Sequence, residues 1–74
     1  MTVPDAIAEL KELRFRKPFV PFVIALSDGR RLAVNRPLQF AVQPWIGIVL
    51  DERDRLMRFN PTDIVAIEVV LPVQ

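Results

Sequence analysis

Histidine, cysteine and tyrosine are absent from this chain, so any chemistry would have to come from carboxylates, hydroxyls, lysine and arginine. Without His and Cys the common zinc ligand sets cannot be built, and there is neither a disulfide nor a thiolate nucleophile. Ser27-Asp28 sets a hydroxyl beside a carboxylate, but Gly29 follows, and before a glycine these residue types serve the local hydrogen bonds of a turn. Asp51, Glu52 and Asp54 gather carboxylates in one short stretch. Arg53 and Arg55 interleave with them, and the ordered oxygen ligands of a calcium loop are missing. Thr62-Asp63 follows Asn60-Pro61, which reads as a single capped helical turn. The expectation is a non-enzymatic protein with no catalytic residue, no cofactor and no metal.

Arginine is the remaining residue type with recognition chemistry, because its guanidinium matches phosphate. Arg30, Arg31, Arg36 and Arg58 are the candidate nucleic-acid-binding residues, with Arg53 and Arg55 beside the last of them. Trp45 and Phe40 could stack bases, although burial is the commoner use of an aromatic ring. Trp45, Ile67, Val69 and Leu71 are the candidate interface residues. Asp28 and Gly29 are assigned to a structural turn. Ten basic and nine acidic side chains leave a net charge of +1, which excludes polyanion binding by bulk charge. A nucleic-acid site would need local clustering. Residues 1–36 lean basic and residues 37–74 lean acidic, a polarity that solvated faces produce and that head-to-tail association could use.

Short elements must position these groups. Pro4 and Asp5 open a helix over residues 4–16, with Thr2 available as its cap. Ala6, Leu10 and Leu13 fall on one face with Ile7 beside them, while Glu9, Lys11, Glu12 and Arg14 take the other. Pro18 ends the helix. Phe22, Ile24 and Leu26 then alternate with Val23, Ala25 and Ser27. A two-residue Asp28-Gly29 turn would set this apolar row against Arg31, Ala33 and Asn35. A three-residue Ser27-Asp28-Gly29 loop instead pairs Leu26 with Arg30, Ile24 with Leu32 and Phe22 with Val34, which makes one apolar face. Burial fixes register, so the three-residue loop is expected, with Gly29 at positive φ and Gly29→Val costly.

Pro37 interrupts or ends the second strand. Residues 39–43 read as a half-exposed strand or as an extension of strand two. Ile46 to Leu50 is a buried strand whose Gly47 marks a bend or a close backbone approach. Residues 55–59 form the next strand. Ile64 to Leu71 is apolar but for Glu68, so it is expected to be buried on both faces or paired in an interface. The fold class is α+β, mainly β. One domain spans residues 1–74, with the helix followed over residues 20–71 by a strongly bent five-stranded antiparallel sheet, a small open barrel.

Seventy-four residues can bury only a marginal core. With half of the residues apolar and no covalent staple, association into a homo-oligomer is the expected remedy. No stretch nears the roughly 20 apolar residues that cross a bilayer, and no basic region precedes an apolar run at the N-terminus. The expectation is a cytoplasmic protein with no membrane partner. Its partners would be copies of itself and RNA, or otherwise another protein.

The helix at residues 5–14, the run Phe22-Val23-Ile24-Ala25-Leu26-Ser27-Asp28-Gly29-Arg30-Arg31-Leu32, the Ile46 to Leu50 strand, Leu56-Met57-Arg58-Phe59 and the Ile64 to Val70 strand follow one another as in the Sm-like fold. The order resembles the bacterial Hfq-like small β-barrel family within it. The resemblance implies an RNA-binding ring in which strands four and five of neighbouring protomers pair edge to edge. The chain departs from that family in three places, one being a longer stretch from strand two to strand three than the family's. Ala33 to Pro37 reads Ala-Val-Asn-Arg-Pro, without the family's strand-two glycine, and Arg58-Phe59-Asn60 replaces its Tyr-Lys-His motif. Residues 18–30 also resemble small uncharacterised bacterial proteins with a Pro-Phe-x-Pro-Phe-x-Ile-x-Leu-x-Asp-Gly-Arg pattern, a likeness that implies no function.

Overall fold

A computed structural model of the protein describes residues 2–51 and 53–70. Helix α1 (Val3–Phe15) precedes six strands: β1 (Phe22–Leu26), β2 (Arg31–Val34), β3 (Phe40–Gln43), β4 (Ile46–Leu50), β5 (Leu56–Phe59) and β6 (Ile64–Val69). Short 3-10 turns at Pro37–Gln39 and Pro61–Asp63 separate β2 from β3 and β5 from β6. The α+β, mainly β class holds. The strands do not form one bent five-stranded sheet, however. They form two antiparallel three-stranded sheets, sheet A in the order β2-β1-β6 and sheet B in the order β3-β4-β5, and no ladder among the described residues closes them into a barrel. The physical reason lies at Pro37. It offers no N–H to a ladder and opens a 3-10 turn, so the chain that leaves β2 must restart as β3 in the other sheet.

Thr2 caps α1 by accepting the Asp5 N–H at 3.3 Å, and Pro4 falls in the first turn, where its missing N–H costs nothing. Ala6, Leu10 and Leu13 are buried, and the helix lies across both 3-10 turns, β3 and β6. A helix this short is marginal alone. Burying each leucine contributes about 2 kcal/mol, which holds it in place. Arg14 does not join the solvent face. Its guanidinium carbon stands 4.4 Å from the centre of the Phe40 ring, and Nη2 donates to the Phe40 carbonyl.

The first hairpin takes the register that burial demands. Phe22 pairs with Val34 and Ile24 with Leu32, and the Leu26 N–H donates to the Arg30 carbonyl at 2.9 Å. Gly29 has φ of +92°, and its N–H donates to the Leu26 carbonyl at 3.0 Å. The Ser27 N–H reaches the Asp63 carbonyl at 2.8 Å, tying the loop to the second 3-10 turn. That turn is capped as expected, with Asn60 Oδ1 accepting the Thr62 N–H at 3.0 Å.

Phe22, Ile24, Leu26, Leu32 and Val34 of sheet A face Phe40, Val42, Val49 and Phe59 of sheet B across one core. Phe22 and Phe40 meet edge to face, with ring centres 5.5 Å apart, so Phe40 is a core residue. Gly47 is a close approach. A Cβ there would lie 2.1 Å from Cζ of Phe59, whose ring covers the bare backbone of its cross-strand partner. Buried Gln39 spans the break between the sheets: Oε1 accepts the Asn35 N–H at 2.8 Å, and Nε2 donates to the Leu50 carbonyl at 2.5 Å. It supplies by side chain the bonds that a continuous ladder would have made.

Candidate functional site

The four arginines singled out in the sequence do not converge. Arg30 sits at the tip of the first hairpin. Its Nε bonds Asp28 Oδ2 at 2.7 Å, and its Nη1 donates to the Arg58 carbonyl at 3.0 Å. The Arg30 backbone N–H, followed by its guanidinium, holds the Asp28 carboxyl below the ordinary aspartate range. Arg31 lies on the outer face of sheet A. It reaches over Ala25 of the middle strand to pair with Glu68 of β6. Both ends of that pair are about half exposed, so it is worth at most about 1 kcal/mol. Arg36 precedes the first 3-10 turn, and Arg58 lies on the outer face of sheet B opposite Ile48.

The second charged hairpin repeats the first. The Asp51 N–H donates to the Arg55 carbonyl and the Asp54 N–H to the Asp51 carbonyl, each at 3.0 Å. Asp54 occupies the left-handed position that Gly29 takes in the other loop, with φ of 59°. Asp51 Oδ1 accepts the N–H groups of Arg53 and Arg55, both at 2.8 Å. The Arg55 N–H is the largest influence holding this carboxyl below its ordinary value, with the Arg53 N–H and the Arg55 guanidinium adding to it. Asp51 is therefore a loop-organising residue, and Glu52 lies outside the described residues. Among the described residues no cluster of carboxylates is arranged to hold a metal ion. The loop does contribute to a basic cleft of about 310 Å³, where Arg31, Arg53 and Arg55 meet Asn35 and Asp51. Arg53 and Arg55 thus stand nearer to Arg31 than the sequence could tell, because β2 and the β4–β5 hairpin meet only in the folded chain.

Exposed large apolar side chains stand on and beside sheet B, and others lie apart from it at Phe15 of α1 and at Val65 and Val70. The register of sheet B puts Phe40, Val42, Gly47, Val49, Met57 and Phe59 inside, and Ala41, Ile46, Ile48, Leu50, Leu56 and Arg58 outside. At one end of this outer face the β3–β4 turn carries Trp45, 72% exposed. At the other end stand Leu38, 88% exposed, with Leu50 at 37% and Leu56 at 49%. Leu38 and Leu50 share a groove of about 430 Å³ with Pro37, Gln39, Arg36 and Asp54. The side chains of Arg36 and Asp54 make no hydrogen bond or ion pair among the described residues. Exposed apolar side chains grouped as Leu38 and Leu50 are here mark an interaction surface. Leu38 gave no signal in the sequence, since a lone leucine after a proline is as often buried.

Of the other candidate interface residues, Ile67 and Val69 are half-buried and pack against the core, where Val69 stands opposite Phe22. The exposed apolar side chains of that segment are Val65 and Val70. Leu71 lies outside the described residues. Strand β5 presents a free edge. The bond from Asp51 to Arg55 fixes the ladder's alternation, which turns the Arg58 carbonyl away from β4, and Arg30 occupies it. No helix among the described residues is long and apolar enough to cross a membrane. Comparison with family models, with curated proteins and with solved structures returned no match.

Proposed function

We propose that this protein is a non-enzymatic binding module that works by associating with copies of itself, built on an open barrel of Sm-like strand order. The strand order supports the architectural half. If β2 and β3 are the two halves of one strand broken at Pro37, the ladder sequence runs β6-β1-β2/β3-β4-β5, and a 3-10 turn joins its two ends. That is the bent five-strand path which the resemblance implies.

The observation that carries the functional half is the bare outer face of sheet B. A chain of 74 residues that leaves Trp45, Leu38, Leu50 and Leu56 exposed gains most by covering them. The proposal places the protein in the cytoplasm, a setting that suits a chain without cysteine. Sedimentation equilibrium at micromolar concentration is the test. A mass of at least twice the 8.5 kDa of one chain is expected, and a monomer at every concentration overturns the proposal.

RNA binding is the second reading, favoured by the cleft that gathers Arg31, Arg53 and Arg55. Phosphate contacts made there would weaken steeply with added salt. Titration of the protein into labelled uridine-rich and adenine-rich oligonucleotides at low and high ionic strength tests it. Absence of binding at low salt removes it.

A further inference from the structure

The outer face of sheet B has two unlike ends. Trp45, largely exposed, sits in the turn beyond Gln43 and Ile46 at one end, and the groove between Leu38 and Leu50 opens at the other. The cross-strand row Ala41–Ile48–Arg58 runs between them, near the middle of β4. A twofold axis lying along this row, in the plane between two stacked faces, reverses the strands of the second copy. It carries each Trp45 onto the other copy's groove.

From this we infer that the protein forms a face-to-face twofold dimer, in which Trp45 of each chain fills the Leu38–Leu50 groove of its partner. The inference rests on the assembly reading above and names its geometry. Self-complementarity of this kind is what a closed dimer requires, because one patch must serve as both halves of the contact. Sheets stacked face to face sit about 10 Å apart, a gap that Ile46, Ile48, Leu50 and Leu56 fill from both sides. The polar rim of the groove suits an indole. The Asp54 carboxylate can accept the ring N–H, the Arg36 guanidinium can lie over the ring, and neither has another partner among the described residues. A stable dimer covers about 800 Å² on each partner. That is about a sixth of the 5163 Å² this chain exposes.

The same axis brings the two Arg58 side chains towards each other at the margin of the contact. Salt screens that repulsion and favours apolar burial, so this dimer tightens as salt is added. Nucleic-acid binding would respond in the opposite sense.

Trp45 is the only tryptophan, so the chain reports on its own association. As protein concentration is raised, the mass is expected to rise from one chain to two, and no further, while the tryptophan emission moves to the blue with the same midpoint. Trp45→Ala and Leu38→Glu each weaken association at least about tenfold, the scale on which buried aromatic anchors act. Both positions are exposed in the single chain, so the far-ultraviolet spectrum is unchanged. An equal mixture of the two variants recovers part of the lost dimer, because one intact Trp45 then meets one intact groove. A dimer whose tryptophan emission does not move, or which survives both substitutions, overturns this geometry and leaves self-association standing. Growth beyond two chains also overturns the twofold arrangement. A chain that stays monomeric throughout overturns both.

Discussion

Gly47 and Phe59 show how one missing side chain can decide a core. The Phe59 ring lies where a Cβ on residue 47 would be, with three ring atoms within 2.5 Å of that position. A methyl group there must push the ring off the sheet. Overpacking of this kind costs about 1–3 kcal/mol, so Gly47→Ala lowers the urea midpoint accordingly. The double variant Gly47→Ala/Phe59→Leu is expected to lose less than the sum of its parts, and strict additivity would show that the ring is not the obstacle. A glycine among β-branched neighbours announces a close approach, and the sequence pattern marked that much. It could not name Phe59, because the pairing of β4 with β5 is set by the hairpin between them. Arg14 and Gln39 were illegible for the same reason. Helical spacing sends Arg14 to water and strand alternation sends Gln39 outward, but Phe40 and the Pro37 break lie beside them only after folding.

At the scale of elements, the two charged hairpins solve one problem with different residues. Both loops put a residue at positive φ, Gly29 in the first and Asp54 in the second. A side chain in that conformation costs about 1–2 kcal/mol, less for aspartate than for most. Gly29→Val should therefore be strongly destabilising, and Asp54→Gly should raise the thermal midpoint at concentrations low enough that the chain is monomeric, where the Asp54 carboxylate has no partner chain to meet. A Gly29→Val variant that melts with the wild type would contradict the turn geometry. Each loop also holds a carboxyl, Asp28 or Asp51, below its ordinary value through bonds to arginine N–H groups. A depressed folded value contributes stability that is fully present above the unfolded aspartate range near pH 4 and is lost as pH falls through the folded value. Stability measured between pH 5 and 2.5 should thus decline, and Asp28→Asn or Asp51→Asn should flatten the decline. The first hairpin was legible to the residue because a slip of one position would turn every apolar side chain outward. The helix cap at Thr2 and the Asn60-Pro61 turn were legible because capping is local chemistry. The division into two sheets was not. It depends on where the chain goes after Pro37, and alternation in β2 and β3 reads the same whether they continue one strand or start another.

The whole molecule is a two-sided problem in coverage. Helix α1 lies against both 3-10 turns and strands from both sheets, and the Arg31–Glu68 pair reaches across the outer face of sheet A. No described element covers the outer face of sheet B. If copies of the chain supply that cover, the thermal midpoint must depend on protein concentration, rising by mass action as the dimer fills. A midpoint constant over a hundredfold range of concentration would count against any such partner. Alternation in β3, β4 and β5 told which residues share a face. Which face the rest of the chain leaves bare is a property of the assembled fold, and no local pattern encodes it.

Arg30 has a consequence of another kind. By holding the outward carbonyl of Arg58, it denies β5 as a template on which foreign strands could polymerise, and it does so with a charge that water keeps in place. Arg30→Ala should leave the native chain folded yet shorten the lag before thioflavin-positive fibrils appear under agitation. An unchanged lag would mean that the strand is protected by its brevity and twist alone.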